Sequence, residues 1–332
     1  MIGFILRRFV GMLITLFLVS IIVFFIMQLP PGDYAERYAF RKFAGSGVAV
    51  TETDIQTLRV KYGLDKPVWQ QYFNWIWGII TRFDFGMAFT TVTSVNYVIG
   101  QRWILTLVLL VGALLITYSV SIPIGIYSAV RRYSFSDYAL TVLSYLGLSI
   151  PSFLLALILL YIMSTCFGVT VGGLFSPQYV DAPWSMAKVI DLLKHLVVPA
   201  IMLAWANTAL QLQTVRATMS DELNKLYVTA ARARGLSERK VIIKYPARLA
   251  INPIAGSIGF DVNRIFSDLP IVALVLGLAE LGQLLIKSYI DLDVYVAGTI
   301  LLILSFVVIL MNFLSDILLA LLDPRIKIGE VK

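Results

Sequence analysis

Three charged residues interrupt an otherwise apolar run from Ile251 to Leu278: Asp261, Arg264 and Asp268. On a helix, spacings of three and four place all three on one face. An ionised group at bilayer depth costs at least about 2.5 kcal/mol unless it is paired or wetted. The trio is therefore expected either to line a polar solute path or to form an internal ion-pair ladder. In the first case the two carboxylates accept hydrogen bonds and Arg264 orients the solute. Other reactive chemistry is scarce. The chain has one histidine, His195, and one cysteine, Cys166. It contains no H-E-x-x-H, zinc cluster or G-x-S-x-G elbow, and no G-x-x-x-x-G-K-[ST] phosphate loop through which to bind ATP. No catalytic residue and no metal-ligand set is assigned. A single cysteine excludes an intrachain disulfide, and His195, beside Lys194, is expected at the edge of a membrane span.

The second informative feature is a basic, Ala-rich segment, Arg216 to Arg248, whose centre reads Tyr227-Val228-Thr229-Ala230-Ala231-Arg232-Ala233-Arg234-Gly235-Leu236-Ser237-Glu238-Arg239. Residues 217–234 are mostly helix formers. Gly235 can end that helix in the left-handed conformation and Ser237 can cap the next. Ala230, Ala231 and Ala233 are expected to present a low-relief face that a partner's groove approaches closely, with Arg232, Arg234, Arg239 and Lys240 at the rim. The simpler alternative is a loop held on one side of the membrane by its charges.

The elements that position these residues are membrane helices. Of 332 residues, 59% are hydrophobic and only 14% charged, against roughly 25% charged in soluble domains; mean hydropathy is +0.84. Uncharged runs begin at Phe9, Trp103, Tyr138, Leu196 and Val294, each long enough for the roughly 17–25 residues of a span. A sixth span over Ile251–Leu278 gathers the basic residues on one side: Arg7 and Arg8, Arg131 and Arg132, the 216–248 segment, and Arg325 with Lys327. Both termini are then cytoplasmic by the positive-inside rule.

The net charge of +7 reflects this topology and calls for no nucleic-acid partner. The first span, followed by Leu29-Pro30-Pro31-Gly32, lacks a small-x-small cleavage site and is expected to be retained. The reading divides into residues 1–31, the N-terminus and first helix; 32–102, an outer-side segment; and 103–332, a five-helix core carrying the cytoplasmic segment 216–250. Within the outer segment, Val68 to Trp77 is rich in aromatics, as interfacial helices are. Kinks or helix starts are expected at Pro123, Pro151 and Pro199, and Gly168 with Gly172 forms a weak G-x-x-x-G pair.

Ala230-Ala231-x-x-x-Gly235 resembles the Glu-Ala-Ala…Gly motif of bacterial and archaeal ABC-importer permeases, with Thr229 where the Glu is expected. Phe4-Ile5-Leu6-Arg7-Arg8, Pro31-Gly32-Asp33, Gly63-Leu64-Asp65-Lys66-Pro67, Leu146 through Phe153 and Leu322-Asp323-Pro324-Arg325 are similar to the first permease subunit of dipeptide and oligopeptide importers, in the peptide/opine/nickel uptake branch. The resemblance implies an all-α, six-helix type I importer fold in a bacterial or archaeal plasma membrane. It further implies a second homologous permease, two ATPase subunits that hold ATP and Mg, and an external substrate-binding protein. Tyr227, Ala230, Ala231, Arg232, Gly235 and Leu236 would couple to an ATPase, and the cargo would be a peptide or an oligosaccharide. Fifth spans in this family are usually Gly-rich and followed by an acidic residue and a Pro-Gly-Leu-Gly-like stretch; here Gly259 is followed by the three charges, and Ala279-Glu280-Leu281-Gly282 stands later. Two other classes stay open on the residues alone: an ion-coupled carrier using Asp261 and Asp268, and a membrane scaffold.

Overall fold

The computed structural model describes residues 2–29, 35–36, 39, 51–100, 102–168 and 172–322. Pro31-Gly32-Asp33, Asp323-Pro324-Arg325 and Lys327 lie outside the described residues. Helices dominate, in the order α1 (Ile2–Met27), α2 (Glu52–Tyr62), α3 (Val68–Arg82), α4 (Val95–Ile99), α5 (Arg102–Val130), α6 (Phe135–Ser149), α7 (Ser152–Phe167), α8 (Met186–Leu223), α9 (Leu226–Ala233), α10 (Glu238–Lys244), α11 (Pro246–Ala250), α12 (Asn252–Leu276), α13 (Leu281–Asp291) and α14 (Val294–Leu322). One small addition to an all-helical reading is a hairpin of two-residue strands pairing Met87 with Ser94 and Ala88 with Thr93.

Four helices, α1, α5, α8 and α14, are long and apolar enough to cross a membrane singly, and the number rises to six if each of two bent pairs is one span. The run expected to cross from Tyr138 is not one straight helix. It breaks between α6 and α7, whose axes differ by 102°. Pro151 has no amide hydrogen to continue α6 and drives Ile150 into extended backbone, φ −92° and ψ 118°. The second break follows Gly277, which ends α12 at φ +63°. Pro123 and Pro199, by contrast, lie inside α5 and α8.

The span expected from Leu196 starts ten residues earlier, at Met186, where the two buried charges, Lys188 and Asp191, are both satisfied. Lys188 Nζ donates to the carbonyls of Val180 and Ala182 at 3.2 and 2.6 Å, and Asp191 accepts from the Ser176 amide and hydroxyl at 2.7 and 2.6 Å. His195 thus sits within α8, not at its edge, with Nδ1 donating to the Asp191 carbonyl at 2.9 Å. Gly168 and Gly172 fall after the last residue of α7 and form no helix–helix motif.

The chain divides into two compact units, Met1–Val10 with Leu107–Leu278 and Val308–Lys332, and Gly11–Thr106 with Ala279–Val307. In the first, α12 packs on α7 and α8, and α6 packs on α8. Close approach is built in by small residues, the device membrane helices use where no hydrophobic force drives them together. A Cβ on Gly147 would stand 2.8 Å from the Ala209 methyl, and one on Gly259 would overlap the Asn312 side chain. In the second unit, Phe24 of α1, Tyr72 and Trp75 of α3 and Leu302 of α14 form a buried cluster. Asp293 caps α14 and also accepts from the Thr90 amide at 3.0 Å.

Candidate coupling segment and solute path

Helix α8 ends at Leu223, and after Asn224 and Lys225 the chain turns into α9. The single helix expected over 217–234 is therefore interrupted. Past Arg234, Gly235 takes φ +76°, with open space where a Cβ would stand, a conformation that side chains other than glycine adopt at a cost. Ser237 occupies the N-cap position of α10 with extended backbone, although its side chain makes no capping bond.

The turn folds around a small core of Val228, Ala231 and Val241, flanked by Tyr227, Leu236 and Tyr245. Two polar ties close it. The Tyr227 hydroxyl donates to Glu222 at 2.6 Å; burial and this bond hold that hydroxyl well above the ordinary tyrosine range. Arg232 grips Glu238 in a two-pronged pair, at 2.7 and 3.1 Å, which lowers the Glu238 carboxyl and raises the Arg232 guanidinium. Both residues are exposed, so the pair orders the turn more than it stabilises the fold.

This geometry sorts the six expected coupling residues. Ala230, Arg232 and Gly235 are exposed, and Tyr227 and Leu236 are half-buried. Ala231 does not belong to the low-relief face: at 4% exposure it faces Val228 and Val241, because residues three apart on a helix share a side. The exposed face of α9 is Leu226, Thr229, Ala230 and Ala233. Leu226, 87% exposed, was not anticipated, although the 226-229-230-233 spacing carries it. A large apolar side chain beside three small ones, held outward by a packed turn, is a knob on a shallow surface.

The three charges of α12 are also separated. Asp261 is 3% exposed and bound from two neighbouring helices. Its side chain accepts from the Tyr118 hydroxyl of α5 at 2.7 Å and from the Gln211 amide of α8 at 2.7 and 2.9 Å. Its backbone carbonyl accepts from Asn207 at 3.1 Å. Asp268 is half-buried and accepts from Ser152, at the start of α7, at 2.7 Å. Arg264 is exposed. Among the described residues no ion pair joins it to either aspartate, so the three charges do not form an internal ladder. What α12 exposes is Asn263, Arg264 and Ser267, flanked by Phe260, Ile271 and Leu274. The first and third of these polar residues went unnoticed in the sequence because neither carries charge. Among the described residues no group of three or more His, Cys, Asp or Glu could hold a metal ion.

A further tie lies between α6 and α8. Asp137 is 1% exposed, accepts a hydrogen bond from Ser128, and meets Arg216 in a two-pronged pair at 2.6 and 2.8 Å.

Comparison with known proteins agrees with this architecture. Residues 121–328 match the family described as "Binding-protein-dependent transport system inner membrane component", and residues 1–110 match its N-terminal counterpart. The chain is 34% identical to a putative peptide permease protein of Brucella ovis, covering 96% of each chain. It is 31% identical to the oligopeptide transport system permease protein AppB of Bacillus subtilis, over 98% of this chain and all of that one. With the dipeptide transport system permease protein DppB of Escherichia coli it shares 30% identity, over 98% and 99% of the two chains. Near-complete coverage on both sides, two family matches in tandem and four to six candidate membrane spans lead to one conclusion: the chain belongs to the binding-protein-dependent inner membrane components, as a multi-pass permease subunit of an ABC importer.

Proposed function

We propose that this permease imports short peptides, paired with a second homologous permease and driven by two ATPase subunits that hold ATP and Mg, with solute delivered by an external binding protein. Peptides are preferred to oligosaccharides because the relatives matched along nearly the whole chain are named for peptide transport. Both termini are placed on the cytoplasmic side, where the arginines at 7, 8, 131 and 132 and the basic 216–248 segment fall together. A stand-alone ion-coupled carrier fits poorly with a binding-protein-dependent family, and Asp261, one of its two required ligands, is occupied by Tyr118 and Gln211.

The observation that carries the coupling role is the exposed face of α9. Leu226 would seat in an ATPase cleft, with Thr229, Ala230 and Ala233 allowing close approach and Arg232 keeping the turn closed. Movement of α9 passes directly into α8, which follows it back through Leu223. Helix α8 is tied to α6 by Arg216–Asp137 and to α12 by Gln211 and Asn207, so a displaced α9 carries the Arg264-bearing helix with it. Closure of the ATPase dimer on ATP would thereby switch the path toward the binding protein, and hydrolysis would reset it. Only a group that interacts differently with the two states can shift them; in this reading Leu226 and Gly235 serve coupling and Arg264 serves the path.

The test is the reconstituted importer carrying Leu226→Asp or Gly235→Val. ATPase activity is expected to lose its stimulation by loaded binding protein, and labelled dipeptide uptake to fall at least about tenfold, a loss of about 1.4 kcal/mol of coupling. Normal, coupled uptake in both variants would count against the assignment.

A further inference from the structure

Helix α3 has two faces that differ in where they go and agree in what they are made of. The inner face, Gln71, Tyr72, Trp75 and Gly78, is buried; the outer face is Trp69, Phe73, Trp77 and Ile80, which are 60–70% exposed. Spacings of four, four and three align these four side chains along one side of the helix. An apolar surface of this size is normally covered by something. The inner face shows at what level the helix lies. Tyr72 hydrogen-bonds Ser20 of α1 at 2.8 Å, its ring and that of Trp75 stand 5.5 Å from Phe24, and the cluster includes Leu302 of α14.

At 1.5 Å per residue, Phe24 and Ser20 lie about 5 and 10 Å below the end of α1 at Met27, and Leu302 lies about 12 Å below the start of α14. Helices of 26 and 29 residues are about 39 and 44 Å long, some 9–14 Å more than a hydrocarbon core of about 30 Å, or roughly 4–7 Å of excess at each end. The contacts of α3 therefore fall at the hydrocarbon boundary and just inside it. The exposed apolar residues Ile22, Phe25 and Ile26 of α1 lie at the same level. Lys66 precedes α3, and Arg82 ends it. Both have the reach to place their charges among headgroups while the rings lie below.

We propose that Trp69, Phe73, Trp77 and Ile80 are immersed in the lipid leaflet on this side of the membrane, so that α3 anchors the segment between the first two spans to the bilayer surface. Aromatic side chains favour this depth, where one part of the ring system meets acyl chains and the rest meets water.

The experiment reads tryptophan emission from the assembled importer in nanodiscs containing phospholipid brominated near the top of the acyl chain. The chain has six tryptophans, of which Trp69, Trp77, Trp103 and Trp184 are exposed. Emission from the partner subunits is removed by taking the difference between the parent and the conservative variant Trp69→Phe/Trp77→Phe. The emission lost in that variant should come from a population quenched at least about twofold by bromolipid, and saturating binding protein should leave that quenching unchanged. An unquenched difference signal would overturn the proposal. So would quenching that binding protein abolishes, which would mark the face as a protein-docking surface. Phe73→Trp in the double variant should restore the quenched population; its failure to do so, with uptake retained, would equally overturn the assignment of this face.

Discussion

Asp261 gives the sharpest test of the separation between buried ties and solute contacts in α12. Replacing it by alanine removes the acceptor for the Tyr118 hydroxyl and for one hydrogen of the Gln211 amide, while Gln211 keeps Ser257 at 2.9 Å. Side-chain hydrogen bonds between membrane helices average about 0.6 kcal/mol and reach about 1.7, whereas a buried donor left unsatisfied costs about 1–3 kcal/mol. With half-buried Tyr118 losing its acceptor and Gln211 losing part of its own, Asp261→Ala should destabilise the protein by about 1–3 kcal/mol. Tyr118→Phe removes one donor and strands none, because Gln211 still serves the carboxyl, and should cost only about 0.5–1.5 kcal/mol.

Both variants are to be measured by reversible unfolding of the purified protein in mixed micelles, alongside peptide uptake per folded importer. The expected pattern is a loss of stability in the order alanine variant, then phenylalanine variant, with uptake per folded molecule within about threefold of the parent, a difference of about 0.7 kcal/mol. The opposite result would refute the reasoning. If Asp261→Ala unfolds within about 0.5 kcal/mol of the parent while uptake collapses, the carboxyl acts on the solute.

Two further outcomes follow from the same packing. Arg264→Ala should lower uptake at least about tenfold, or about 1.4 kcal/mol in the transport barrier, without changing solute affinity of the binding protein measured by calorimetry; unchanged uptake would remove Arg264 from the path. Gly259→Ala should destabilise the protein by about 1–3 kcal/mol through overpacking, since its methyl group overlaps the Asn312 side chain and lies 3.0 Å from the Asn312 Cα. Adding Asn312→Ala should recover part of that loss, and a strictly additive double variant in micelle unfolding would contradict the contact.

Much of the fold was legible because its cause is local. The left-handed turn at Gly235 and the break at Pro151 follow from backbone sterics that any neighbour must respect. The early start of α8 was not legible in this way. Lys188 and Asp191 read as part of a polar outer segment until Val180, Ala182 and Ser176 are seen to satisfy them, and the local helix pattern carries no sign of those partners. The inward turn of Ala231 was hidden for a related reason: alanine carries no sign of which way it faces, and the large residues that decide it, Val228 and Val241, lie on two different helices.

The charges of α12 show how a correct local inference can still mislead. At about 100° per residue, Asp261, Asp268 and Arg264 fall within an arc of about 60°, so the expectation that they share a face holds. The fully buried residues Val262, Ile265, Leu269, Val272, Ala273 and Leu276 cover an arc of about 100° that starts beside Asp261. The exposed residues Phe260, Asn263, Ser267, Ile271 and Leu274 cover an arc of about 80° that starts beside Arg264. The boundary between interior and surface therefore runs through the charged face itself, with Asp268 on the line. Hydropathy finds the charges and periodicity finds their common side, but neither locates a boundary set by where α7 and α8 press against α12. Charge of one sign is consequently spent on holding three helices together, while the opposite charge, less than one turn away, remains available to a solute or to a partner permease.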